Sequence, residues 1–280
     1  MAPTVACEIV FKQLFYDVER IRQKNPIIHN ISNLVVMPIT ANLLLSLGAS
    51  PIMAHAQEEL AEILSLAKAL VINIGTLDDY WINSITMAQE IALQTKIPIA
   101  FDPVGVGASH YRTETAKKIL SRGVQVIRGN ASEIMALVDP HIKTKGVDSL
   151  QTSESALPSA VRLAKKYHCT VVVSGKIDLI VDQSNYVTLQ CGTPLFTKVV
   201  GMGCSLTAII GSFLAVNQDP FLAAVHAMTI FGLTGELAAK TALGPGSFYT
   251  QLLDHFYKLE PSSLESLVLN RQYARKGIME

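Results

Sequence analysis

The chain has 280 residues, 49% apolar and 16% charged, with 23 Lys+Arg balanced by 23 Asp+Glu. Low charge with high apolar content excludes a chain that is mainly disordered. Zero net charge and a 6% aromatic share argue against a dedicated nucleic-acid binder, which needs a basic excess or stacking platforms. Small molecules or other protein chains are the expected partners.

In chain order, residues 8–24 read as a helix, with Leu14, Phe15, Val18 and Ile21 at helical spacing. A strand at 26–32 and a helix at 34–48 follow, the helix starting or breaking near Pro38 and closing at Gly48. A short strand at 50–54, a helix at 58–67 and a buried strand at 69–75 come next. A helix over 78–95 starts at Asp78 or Asp79. The strand at 97–105 runs into a loop, followed by a helix at 112–123, a strand at 124–130 and a short helix at 132–138. After a loop over 139–152 come a helix at 154–167, with Pro158 in its first turn, and a strand at 169–175. The segments 178–182 and 185–190 read as a hairpin. Helices at 204–216, 220–240 and 246–258, and a short one near 262–268, complete the chain.

Strands alternating with helices predict an α/β fold, with a mostly parallel central sheet covered by helices on both faces. No linker or repeat divides it, so one domain over 1–280 is expected. Ligands in such sheets sit beyond the carboxyl ends of the strands.

Two uncharged stretches, Lys24 to Glu58 and Lys198 to Asp219, are long enough to raise a membrane reading. Both are too polar and too interrupted for lipid-facing helices: the first carries Pro26, Asn30, Asn33, Pro38 and Pro51, the second three glycines. No membrane is therefore expected. The cysteines, Cys7, Cys169, Cys191 and Cys204, form no CxxC pair, and the opening MAPTVACEIVF lacks the basic start of a secretory signal. These features predict a cytoplasmic protein with free thiols.

Four segments fall where chemistry is expected. In Gly201-Met202-Gly203-Cys204 two glycines precede a long uncharged helix. Such a start leaves unpaired N–H groups with partial positive charge, which suits an anion; a plain glycine turn before a core helix reads equally well. No GxxxxGK[ST] is present, so a Walker-type site is excluded. In Phe101-Asp102-Pro103-Val104-Gly105 a carboxylate directly follows a buried strand. In Arg128-Gly129-Asn130-Ala131-Ser132-Glu133, Asn130 and Glu133 have the spacing of a capping box. Glu133 is either that cap or, with Asp102, a carboxylate near a hydrated magnesium. Asn33, just after a strand, and Met53, in the short strand at 50–54, suit a small amphipathic ligand or plain core packing.

Taken together, NPIIHNISN, LGASPIMAHAQEE, FDPVGVGASHYR, RGNASEI and GMGCSLTA resemble the hydroxyethylthiazole kinase family of the ribokinase-like superfamily. The resemblance spans the chain from about Pro26 to the C-terminal helices. It implies a ribokinase-like fold and transfer of the ATP γ-phosphoryl group to the primary alcohol of 4-methyl-5-(2-hydroxyethyl)thiazole in thiamine salvage. It also implies a homotrimer with sites at subunit interfaces. By the same resemblance, Met53, Asn33 and Gly201 fall at thiazole positions and Arg128 and Ser174 at ATP positions. Asp102 and Glu133 match acidic positions around Mg2+ and phosphate. Cys204 stands where most of the superfamily carries a catalytic Asp, with Gly203 beside it in the amide cradle.

Three departures stand out: Met202 for a smaller residue, Ser174 for Thr, and Pro38 for a polar residue. Met202 is expected to narrow the thiazole or phosphate pocket. Cys204 reads as a base or as a packing residue: a thiol near pKa 8.5 is a weak base at neutral pH, while positioning alone supplies roughly 7–11 kcal/mol. A sister kinase acting on a pyrimidine or sugar alcohol and a non-catalytic thiazole- or nucleotide-binding protein are the alternatives.

Overall fold

A computed structural model describes residues 5–139, 142, 152–260 and 274–278. The chain opens with α1 (Val5–Lys24), β1 (Ile27–Ile31), α2 (Met37–Leu47), β2 (Ser50–Ile52), α3 (Leu60–Leu66) and β3 (Ala69–Asn73). It continues with α4 (Asp79–Gln94), β4 (Ile99–Asp102), α5 (His110–Arg122), β5 (Val126–Asn130), α6 (Ala131–Val138) and α7 (Leu157–Tyr167). The last part holds β6 (Thr170–Ser174), β7 (Asp178–Val181), β8 (Asn185–Leu189), α8 (Met202–Leu214), α9 (Pro220–Thr241), α10 (Pro245–Tyr257) and β9 (Ala274–Gly277).

The strands form one sheet in the order β2-β1-β3-β4-β5-β6-β7-β8-β9. Pairing is parallel from β2 through β6 and antiparallel from β6 through β9. Every residue of β3 is buried, as a strand covered on both faces requires. The twofold alternation of side chains sorts the strands between two cores. On one face Ile28, Val71, Ala100, Val126 and Val172 pack with residues of α1, α2, α8, α9 and α10. On the other, Leu70, Ile72, Phe101, Ile127 and Val173 pack with α3 to α7.

The helix boundaries have local causes. Pro38 and Pro158 occupy the first turns of α2 and α7, where a missing N–H leaves no gap in the ladder. Gly48 ends α2 at φ 109°. The Asp78 side chain accepts from Trp81 N at 2.8 Å to start α4. The expected strands and helices are present within the described residues. Three features were not expected: β9, a short 3-10 turn at Pro194–Lys198, and a start of α8 two residues earlier than the periodicity suggested. The expected helix near 262–268 lies outside the described residues, as does most of the 139–152 loop. The uncharged stretches resolve into short elements. Among the described residues α9 is the one helix long and apolar enough to cross a membrane, and 83% of its apolar window is buried inside the chain.

Candidate active site

Six parallel strands, β1 to β6, deliver their carboxyl ends to one edge, where α8 begins. β3 and β4 are in register at Asn73 and Asp102, and β5 and β6 at Asn130 and Ser174. Side chains from segments far apart in sequence thus meet.

Asp102 is 1% exposed. Thr207, on α8, donates its hydroxyl to Asp102 Oδ2 at 2.7 Å, and Arg128 Nη1 lies 3.6 Å from the same oxygen. Asp102 Oδ1 is buried without a partner. Burial pushes this carboxyl above its ordinary pKa, against the opposing pull of Arg128 and Thr207. Arg128 also donates to Ser174 Oγ through Nη2. Its guanidinium lies so close to α8 that a Cβ on Gly203 would come within 2.5 Å of Nη1. Gly203 is therefore required for this approach and not for an unusual backbone angle.

Glu133 is the cap that its spacing from Asn130 suggested. It completes the capping box of α6, accepting from Asn130 N at 2.9 Å while Asn130 Oδ1 accepts from Glu133 N at 3.0 Å. Its other oxygen accepts from Gly105 N at 2.8 Å, which ties the loop after β4 to the start of α6. Burial and the neighbouring Asp102 charge push its carboxyl up to about 7.

Cys204 is half-buried in the first turn of α8. Asn33 Nδ2 lies 3.5 Å from its sulfur and 2.8 Å from Asn73 Oδ1. Asn73 Oδ1 also accepts from Gly75 N at 2.9 Å, while the buried Asn73 Nδ2 has no hydrogen-bond partner. Burial and then the Asp102 charge push the thiol up to about 12, more than the two amides and Arg128 pull it down. At neutral pH it is a thiol and not a thiolate.

Gly201 caps α8 at φ 80°, a left-handed conformation that favours glycine, and a Cβ there would meet Val36 Cγ1 at 2.8 Å. No side chain caps this helix start. Met202 is 3% exposed and belongs to the core formed with α8 and α9, while its backbone forms part of the turn. Met53 stays apart from the cluster, half-buried beyond β2 at the edge of the sheet.

Asn73 and Thr207 also reach the cluster and were not singled out from the sequence. Asn73 carried a readable signal, a polar residue ending the apolar run ALVIN. Thr207 carried none, since a threonine one turn into an apolar helix is ordinary. Among the described residues no group of three or more His, Cys, Asp or Glu side chains forms a metal cage. Magnesium asks for less, one or two carboxylates with waters and substrate phosphates. The unpartnered Asp102 Oδ1 fits that need.

An open, mostly parallel sheet with an antiparallel end, and with a carboxylate, a guanidinium and an uncapped glycine-started helix at one edge, defines a ribokinase-like small-molecule kinase. A pyridoxal kinase from Staphylococcus aureus shares the fold at a TM-score of 0.57 and 18% identity, over 73% of this chain and 85% of that one. The family model of the hydroxyethylthiazole kinase family matches residues 18–262, and the chain belongs to that family. A hydroxyethylthiazole kinase of Desulfotalea psychrophila is 46% identical over 89% of this chain and 92% of its own length. The one from Pyrococcus abyssi is 46% identical over 87% and 92%. The structure of the Pyrococcus horikoshii hydroxyethylthiazole kinase aligns at a TM-score of 0.85 and 38% identity, over 96% of this chain and 100% of that one.

Proposed function

We propose that the chain transfers the γ-phosphoryl group of ATP to the hydroxyl of 4-methyl-5-(2-hydroxyethyl)thiazole, as a step of thiamine salvage. The observation that carries this reading is the approach of Arg128 to Gly203, which puts a guanidinium beside the uncapped start of α8. The amides of residues 201–204 and Arg128 then face the oxygens of the phosphoryl group in flight, where fixed donors lower the barrier most. Ser174, bonded to Arg128, holds the ATP side. The alcohol oxygen forms its bond to phosphorus as the bond to the ADP oxygen breaks.

Cys204, Asn33 and Asn73 orient the alcohol. With its thiol pushed up to about 12, Cys204 holds the hydroxyl by hydrogen bonding and does not remove its proton. In a loose phosphoryl transfer that proton leaves late, to an oxygen of the transferred phosphoryl group, so a strong base is dispensable. Asp102, with Glu133 nearby, would hold Mg2+, and the ion would neutralise charge on the ATP phosphates.

The working unit is a homotrimer, and the protein is cytoplasmic. The support for the trimer is a run of exposed apolar side chains at the site's rim, Leu34 (63%), Val35 (59%) and Val200 (58%). Met53, half-buried at the sheet edge, contacts the thiazole from that side.

ADP release on adding the thiazole alcohol, with hydroxymethylpyrimidine as control, tests the reaction. Turnover only with the thiazole is expected; preference for the pyrimidine refutes it. For the thiol, Cys204→Ser is expected to keep kcat within about tenfold, and the wild type is expected to show no inflection near pH 8.5. A fall of about 10²–10⁴-fold, the usual worth of a general base, would make Cys204 the base.

A further inference from the structure

Arg112 lies in the first turn of α5, where Ser109 Oγ accepts from its backbone N at 3.3 Å. Its guanidinium turns away from α5 toward the loops after β3 and β4. Nη1 donates to Ile74 O at 2.6 Å and to Val104 O at 2.8 Å; Nη2 donates to Gly75 O at 2.8 Å. Among the described residues no carboxylate lies within ion-pair distance of it. This arginine is satisfied by backbone carbonyls from two separate loops, a task that suits a rigid planar fork of donors.

Both loops carry site residues. Next to Gly75 O, Gly75 N donates to Asn73 Oδ1 at 2.9 Å, and Leu34 N donates to Thr76 Oγ1 at 3.0 Å. A Cβ on Gly75 would come within 2.7 Å of Asn33 Nδ2, so this loop sets where the Asn33 amide rests against Cys204. One residue past Val104 O, Gly105 N donates to Glu133 Oε1 at 2.8 Å. Gly105 has φ 77°, and a Cβ there would meet Arg112 Cδ at 3.1 Å. The loop conformation and the arginine stem are thus fitted to each other.

We propose that Arg112 is a positioning residue for phosphoryl transfer: it clips the loop that sets the Asn33–Asn73–Cys204 side of the site to the loop that sets the Asp102–Glu133 side. The clip fixes the distance between the acceptor alcohol and the phosphate-binding groups without touching either. This rests on the kinase reading of the site.

The test compares Arg112→Lys, which keeps the charge and loses the fork, with Arg112→Ala, alone and combined with Asn33→Ala. Arg112→Lys is expected to lower kcat/KM for the thiazole alcohol by about 10–100-fold, the scale of a small misplacement of reacting groups. In the Asn33→Ala background the same change should lower it only about threefold further, because both act through one geometry. Wild-type kcat/KM in Arg112→Lys, or losses that simply multiply, overturns the proposal. Hydrogen exchange of the ligand-free protein gives a readout independent of turnover. Segments 73–76 and 103–107 should exchange faster together in both variants, with α9 unchanged. Unchanged exchange in those segments overturns the clip, and a global rise in Arg112→Ala would be judged against Arg112→Lys. A wild-type protein without activity on the alcohol refutes the kinase reading separately and leaves the exchange result to decide the clip.

Discussion

Gly201 and Gly203 stand two residues apart and are needed for different reasons. Gly201 has a left-handed backbone. Gly203 is helical, and its missing side chain makes room for Arg128. Gly201→Ala should therefore lower stability by about 1–2 kcal/mol, the usual scale of a non-glycine residue forced left-handed. Gly203→Ala should leave the thermal midpoint near wild type and lower kcat/KM for ATP by about 10–100-fold, through displacement of the guanidinium. Steady-state kinetics beside thermal denaturation would separate the two, and a Gly203→Ala enzyme of full activity would remove Arg128 from the phosphate site. The GxG spacing showed in the sequence, but not this division of labour. Met202 between them shows why: its chemical bulk was plain, while the direction of its side chain was set by how α8 enters the core.

Turns and caps act one scale up, and here the sequence was most readable. The capping box at Asn130 and Glu133, the proline starts of α2 and α7 and the aspartate start of α4 all depend on neighbours within four residues. β9 was unreadable for the opposite reason: ARKG has no apolar alternation and is a strand only because β8 offers it a free edge. Asp178 falls between these cases. It opens β7 in a recognisable hairpin, yet nothing in sequence shows that it is buried beside the site. Its Oδ1 accepts from Gly175 N at 2.9 Å, closing the turn after Ser174. Burial pushes the carboxyl up to about 7, against smaller opposing pulls from that bond and from Arg128. A raised folded-state pKa means that the folded chain holds the proton more tightly than the unfolded one. The contribution of Asp178 to stability is thus complete below about pH 4 and is lost as pH rises toward 7. Asp178→Asn keeps the acceptor for Gly175 N and removes the titration. The difference in thermal midpoint, variant minus wild type, should climb between pH 4 and 7 and level off above. A difference independent of pH would mean that the carboxyl is not held protonated.

At the scale of the whole molecule, two cores flank one sheet, and the order of the strands explains why the site lies where it does. The alternation of strands and helices announced this arrangement, and the polar residues ending β3, β4 and β6 marked its active edge. Which surface another chain covers was not legible, because an apolar side chain reads alike whether its own fold or a neighbour buries it. For the proposed trimer, one such surface lies beside the site. Val36 reaches Gly201 closely enough to exclude a Cβ, so the loop after β1 and the start of α8 are adjacent. Leu34, Val35 and Val200 project outward from these adjoining segments. Exposed apolar residues scattered singly are ordinary, but a group at the mouth of a site marks a contact surface. A ring of three copies uses two different patches per chain, so polar changes on one patch should break every interface at once. The double substitution Leu34→Asp with Val200→Asp is accordingly expected to convert a trimer to monomers by light scattering and to lower turnover on the thiazole alcohol, while far-ultraviolet circular dichroism stays as in the wild type. A wild-type protein that is monomeric, or a double variant that keeps both its mass and its turnover, would remove this face from the assembly and leave each chain to complete its site alone.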